Sequence, residues 1–156
     1  MSMEPPATPE QAFMEELRRR RAELLESMRA VEQALSAPAP GREERWAERV
    51  HVSVVELAAD FGEHINLTEG PDGLYGELLK SAPRLAGAVA RLTREHAVIT
   101  EEIDNLLAVA GEPGTDEHVD RVRALGTALL ARLLRHRQHG SDLIYEAYQA
   151  EIGGET

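Results

Sequence analysis

Apolar residues recur every three or four positions along four long segments of the chain, and this spacing predicts amphipathic helices. The core positions that define the four segments are Leu17, Leu24, Met28 and Leu35; Trp46, Val50, Leu57 and Phe61; Leu85, Val89, Leu92 and Ile103; and Leu125, Leu129, Leu133 and Leu143. No stretch alternates in the way that a half-buried strand does. The pattern therefore predicts an all-α protein.

Capping and turn residues set the predicted helix ends. Thr8 is expected to cap the first helix, with Pro9 at its first helical position and Gln11 closing a capping box. Segments rich in proline and glycine break the helical pattern at residues 37–41, 70–73 and 111–114.

These breaks predict an antiparallel up-and-down four-helix bundle, with a short extra helix before the third long helix. The second helix is expected at about 42–68, the short one at 74–80, the third from Pro83, and the fourth after a cap at Thr115. A flexible arm (1–8) and a tail (153–156) are expected to flank one domain over residues 9–152.

Composition excludes several functions. The net charge is −11, from 17 basic and 28 acidic residues, which argues against nucleic acid and anionic membranes as partners. Cysteine is absent, so thiolate catalysis and cysteine-ligated metals are excluded. No apolar run reaches the length of a membrane span, and a cytoplasmic protein is the expectation.

Three histidines are the main candidate functional residues of the chain. His64, His96 and His136 each lie on the apolar stripe of a different predicted helix. A buried imidazole needs partners for its ring nitrogens, and one imidazole from each of three helices can converge inside a bundle. The sequence therefore predicts a buried metal site. Counted from the helix ends, His96 lies one to two turns out of level with the other two.

Other polar residues are secondary candidates. His139, Asp142 and Glu146 form a strip beside His136 on the last helix and are candidate ligands. His51 is expected to be structural, and His118 to lie on the surface. The run Arg18–Arg21 is expected to be a solvated helix face that pairs with nearby glutamates. The alternative for this run is a patch that docks an anion or a partner.

The segments His64–Glu69, Leu92–His96 and Leu133–His136, with 32 residues between the first two histidines, resemble the haemerythrin-like, or HHE cation-binding, family. The resemblance covers roughly residues 10 to 150. It implies a four-helix bundle with a non-haem di-iron centre. It also implies that His64, His96 and His136 are ligands, that Glu69 is the carboxylate after the second-helix histidine, and that Asp142 or Glu146 is the acid of the last helix.

The chain departs from the family pattern at several positions. Arginines occupy the region of the family's first-helix histidine, and Thr68, Thr100 and Gly140 stand where further ligands are expected. A mononuclear site, an atypical dinuclear site and a lost site all remain open.

Imidazole with carboxylate oxygens suits iron, manganese or zinc. For iron, the resemblance implies open positions that take dioxygen, peroxide or nitric oxide. The alternative function is a metal-free helical bundle that acts as an interaction or homodimerisation module, with its histidines hydrogen-bonded internally. Whether the protein turns over a substrate is not decided by the sequence.

Overall fold

A computed structural model describes residues 3–112 and 116–153. Within these ranges the chain is an all-α helical bundle without strands, which confirms the predicted fold class. The helices are α1 (Pro9–Ser36), α2 (Glu43–Glu69), α3 (Leu74–Ser81), α4 (Ala86–Ala110) and α5 (Asp116–Gly153), with a 3₁₀ turn at Pro83–Leu85. The predicted cap at Thr115 and all of the predicted tail after Gly153 lie outside the described residues.

The start of α1 is fixed by its capping box, as predicted. The backbone N–H of Gln11 donates to Thr8 Oγ1 at 3.1 Å, and the backbone N–H of Thr8 donates to Gln11 Oε1 at 3.0 Å. The break before α2 depends on Gly41, whose φ of 78° lies in the left-handed region that favours glycine. The third long helix differs from its prediction, because Pro83 opens the 3₁₀ turn and α4 begins at Ala86.

Helix α2 runs back along α1. Ser27 donates a hydrogen bond to Asp60, and Arg20 lies 4.0 Å from Glu63. Arg20 precedes Ser27 in α1, whereas its partner Glu63 follows Asp60 in α2, so the two helices are antiparallel.

Helices α4 and α5 are antiparallel as well, because Glu95 contacts His136 whereas the later residue Glu102 contacts the earlier residue Arg132. Helix α1 also contacts α5.

Helix α5 begins beyond the end of α4, and this offset brings the histidines level. Glu95 of α4 is bonded to His136 of α5. Counting back at equal rise from that pair places Ala110, the last residue of α4, level with about residue 121. The first turn of α5 therefore extends past the end of α4. This overhang compensates for the offset of one to two turns that was expected between His96 and the other two histidines.

His118 corrects one prediction. It was expected on the surface, but only 4% of it is exposed. Its Nε2 donates to the backbone oxygen of Val109, a carbonyl in the last turn of α4 that also accepts a hydrogen bond from the backbone N–H of Glu112. The first turn of α5 thus closes over the end of α4.

The hydrophobic core forms two clusters with the three histidines between them. The larger cluster includes Phe61 and Ile99, and the smaller one includes Tyr75 and Leu92. On α4, His96 lies between Leu92 of the smaller cluster and Ile99 of the larger. The imidazoles therefore form a polar layer in an apolar interior.

Among the described residues, every helix is too short or too polar to cross a membrane.

Leu→Ala substitutions at two positions of α5 distinguish the contribution of core packing to stability from that of helix propensity. Leu129 is fully buried and Leu134 is 56% exposed. We expect Leu129→Ala to lower the free energy of unfolding by about 2–5 kcal/mol and Leu134→Ala to change it by less than about 0.5 kcal/mol. Urea denaturation followed by circular dichroism measures both. Equal effects would contradict the packing described for α5.

Candidate metal centre

His64 of α2, His96 of α4 and His136 of α5 converge in the interior. One ring nitrogen from each lies within 4.8 Å of the others, and the Nε2 atoms of His64 and His136 are 3.2 Å apart. Two imidazole nitrogens on one metal ion at about 2.0–2.1 Å would be about 3.0–3.4 Å apart. The His64–His136 pair thus already has the spacing of two ligands, and the other pairs exceed it by at most roughly 1.4 Å.

Carboxylates orient two of the three rings. His96 Nδ1 donates to Glu69 Oε2 at 2.6 Å, and His136 Nδ1 donates to Glu95 Oε1 at 2.8 Å. An ionised carboxylate only accepts hydrogen bonds, so each Nδ1 carries the proton and each Nε2 presents a lone pair. A carboxylate behind the imidazole is the usual support of a metal-ligating histidine.

Glu95 is a residue of the centre that was not predicted. Its second oxygen, Oε2, accepts a hydrogen bond from His139 Nδ1 at 2.7 Å, and Arg91 Nη2 donates to His139 Nε2 at 2.6 Å. Burial opposes ionisation of Glu95, but the hydrogen bonds from His136 and His139 lower its pKa overall. The signal was present in the sequence, because Glu95 directly precedes His96 within the segment that carries the family resemblance.

Two aromatic residues enclose the cluster. Phe61, 1% exposed, has its ring centroid 5.6–6.1 Å from those of all three imidazoles. On the other side the Tyr75 ring is stacked on His96, and its hydroxyl donates to His96 Nε2 at 3.4 Å. Burial raises the pKa of Tyr75, so the hydroxyl keeps its proton. His96 and His136 are thus shielded from water, whereas His64 is half-buried, and the Tyr75 hydroxyl is a hydrogen-bond donor beside the nitrogens.

Burial keeps the imidazoles neutral, the form that binds metals. Burial and the neighbouring His96 and His136 lower the pKa of His64 from 6.5 to about 3. Burial also lowers the pKa of His96 and of His136, although the bond to Glu69 or Glu95 opposes this change.

The positions that depart from the family pattern are filled by groups with other roles. Thr68 Oγ1 donates to the backbone oxygen of His64, and Thr100 Oγ1 donates to that of His96, both at 2.8 Å. Gly140 and Arg21 border a cavity beside His64 and His136. Arg21 corrects the prediction for the arginine run: Arg19 and Arg20 do pair with Glu16, but Arg21 is half-buried and lines this cavity.

The remaining predicted ligands lie away from the metal-facing nitrogens. Glu69 contacts the back of His96, and both nitrogens of His139 are engaged by Glu95 and Arg91. Asp142 is exposed and accepts a hydrogen bond from Gln138, and Glu146 is exposed. The structure brings neither acid to the cluster.

Comparison with known proteins gives no match. No protein-family model matches the chain, and neither a curated protein nor a solved structure matches it significantly. The haemerythrin-like resemblance therefore stays a prediction from the residues quoted above.

Acid should destabilise the metal-free protein through the cluster. Folded His64 stays neutral down to about pH 3, whereas in the unfolded chain it takes up a proton below about pH 6.5. The free energy of unfolding is therefore greatest above pH 6.5 and decreases as the pH is lowered. This residue contributes a decrease of up to about 1.4 kcal/mol per pH unit. We expect urea denaturation between pH 6.5 and 5, with chelator present, to show that the free energy of unfolding depends less steeply on pH in His64→Gln than in the wild type. Identical slopes would contradict a His64 that stays neutral in the folded protein.

Proposed function

We propose that this chain is a metal-binding helical bundle whose three histidines hold one divalent transition-metal ion, with an open position for a small ligand such as dioxygen, peroxide or nitric oxide. The observation that carries the proposal is the orientation of the cluster. The Nε2 atoms of His96 and His136 are freed for a metal because Glu69 and Glu95 accept the protons on the opposite nitrogens.

The geometry supports a single ion. A second ion needs its own ligands, but Thr68 and Thr100 bond back to their helix and Arg21 presents a cation. Glu69 and Glu95 bind the backs of imidazoles, which is not a bridging position between two metals. Three histidines around one ion leave at least one coordination position for water or a ligand.

The neighbouring space supports a small ligand. A cavity of about 30 Å³ borders His64, His136 and Tyr75. A volume of this size accommodates about two water-sized groups, which suits a diatomic or triatomic molecule. Iron is the first choice of metal because of the family resemblance, and zinc or manganese is compatible with the same nitrogen donors. A cytoplasmic location is part of the proposal.

The competing proposal is a metal-free interaction or homodimerisation module. It is supported by the partners that the rings find within the protein: His64 and His136 contact each other, and Tyr75 bonds to His96. Metal content separates the two functions.

We expect protein purified without an affinity tag or chelator to contain about one equivalent of a transition metal by elemental analysis. His96→Ala should reduce this below about a tenth of an equivalent and leave the helical circular dichroism signal intact. His51→Ala is the control, since His51 lies on α2 outside the cluster, and it should keep full metal content. Wild-type protein that takes up no metal after incubation with Fe²⁺, Mn²⁺ or Zn²⁺ would support the metal-free module.

The carboxylate behind His136 can be tested independently. Glu95→Gln keeps the shape of the side chain but removes the charge that polarises His136, so metal affinity should fall by about 10–100-fold. Glu101→Gln removes the same charge from an exposed position of the same helix and should change the affinity less than twofold. Competition with a chromophoric chelator measures both, and an unchanged affinity for Glu95→Gln would contradict the assigned role of Glu95.

A further inference from the structure

Two guanidinium groups border the cavity beside the histidines. Arg21 of α1 and Arg137 of α5 both line it, together with His64, His136, Tyr75 and several aliphatic side chains. Arg21 Nη2 donates to Ser141 Oγ at 2.9 Å, and Arg137 Nη1 donates to the backbone oxygen of Arg21 at 3.0 Å. These bonds hold both arginines at the wall of the cavity.

Neither arginine is neutralised. Among the described residues, neither Arg21 nor Arg137 forms an ion pair with a carboxylate, whereas their neighbours Arg19 and Arg20 pair with Glu16. Both are half-buried, and burial lowers the pKa of each, although an arginine remains charged at any physiological pH. Two partly desolvated cations without a carboxylate partner thus border one cavity in a chain whose net charge is −11. A buried charge is costly without a partner.

The acidic groups of the centre do not supply that partner. Glu69 and Glu95 are bonded to the backs of His96 and His136, away from the cavity. Many of the side chains that border the cavity are aliphatic, and its polar groups are guanidinium, imidazole and hydroxyl, none of which carries a negative charge. The missing negative charge is therefore expected from a ligand.

We propose that this cavity selects a small inorganic anion of two or three heavy atoms, which binds at the open position of the metal and is held by Arg21 and Arg137. Hydroperoxide, nitrite and azide belong to this class. A planar guanidinium with several N–H donors suits such an anion. The Tyr75 hydroxyl, which bonds to His96 Nε2, becomes a further donor at the same wall when a metal takes that nitrogen. The inference rests on the proposed function and narrows its ligand class from small molecules in general to anions.

Azide binding to the Co²⁺-loaded protein tests the inference. Azide titration is followed through the visible absorption of Co²⁺, and bound cobalt is measured by elemental analysis in each sample. Arg21→Met keeps most of the aliphatic stem but removes the charge, so it should weaken azide binding by about tenfold or more. Arg18→Met is the matched control, because it removes the same charge from an exposed position of α1, and it should change azide affinity by less than about twofold.

Nitric oxide is the uncharged comparison ligand. It should bind the Fe²⁺-loaded wild type and Arg21→Met with similar affinity, because it gains little from a guanidinium. If Arg21→Met does not fold, Arg137→Met is the second variant, with the same expected losses and the same control.

The possible failures are distinct. Wild-type protein that holds no cobalt overturns the proposed function, and this inference with it. Cobalt-loaded Arg21→Met that binds azide as tightly as Arg18→Met overturns the inference and leaves the metal site standing. Equal losses of azide and nitric oxide overturn it as well, because they indicate a change of cavity shape instead of charge.

Discussion

The hydrogen bonds between imidazole Nδ1 atoms and glutamates determine what the interior of this bundle can do. Each bond holds the proton on the far side of the ring, so that His96 and His136 present a lone pair to the centre. If the proton were on Nε2, the rings would present N–H groups to one another and would repel a cation. The two glutamates lie near the edge of the core and retain some contact with water, which spares the protein the full cost of burying a carboxylate.

Much of the fold followed from local rules. The helical periodicity and the proline and glycine breaks predicted each helix to within a few residues, and the capping box at Thr8 was correct in detail. The position of His118 was not predicted, because its surroundings in the sequence are acidic and polar, and only the overhang of α5 beyond α4 buries it. Contacts of this kind depend on how helices are offset, which periodicity does not encode.

The candidate metal centre was predicted only in part, because its geometry also depends on how the helices are offset. Helical phase alone indicated that His64, His96 and His136 face the interior. The height at which they meet depends on the offset between α4 and α5. Glu95 and Arg21 were missed as contributors because both lie in charged sequences typical of solvated faces. A helical wheel gives the direction of a side chain but not the neighbour that it reaches, so Asp142 and Glu146 were named as candidate ligands and Glu95 was not.

The polar layer between the two hydrophobic clusters has a further consequence for folding specificity. Aliphatic cores tolerate sliding, because one leucine can replace another when a helix shifts by a turn of about 5.4 Å. Here such a shift would separate His96 from Glu69, or His136 from Glu95, and would bury an unpaired imidazole among leucines. The histidine layer therefore selects one vertical alignment of α2, α4 and α5 out of several that hydrophobic packing alone would allow.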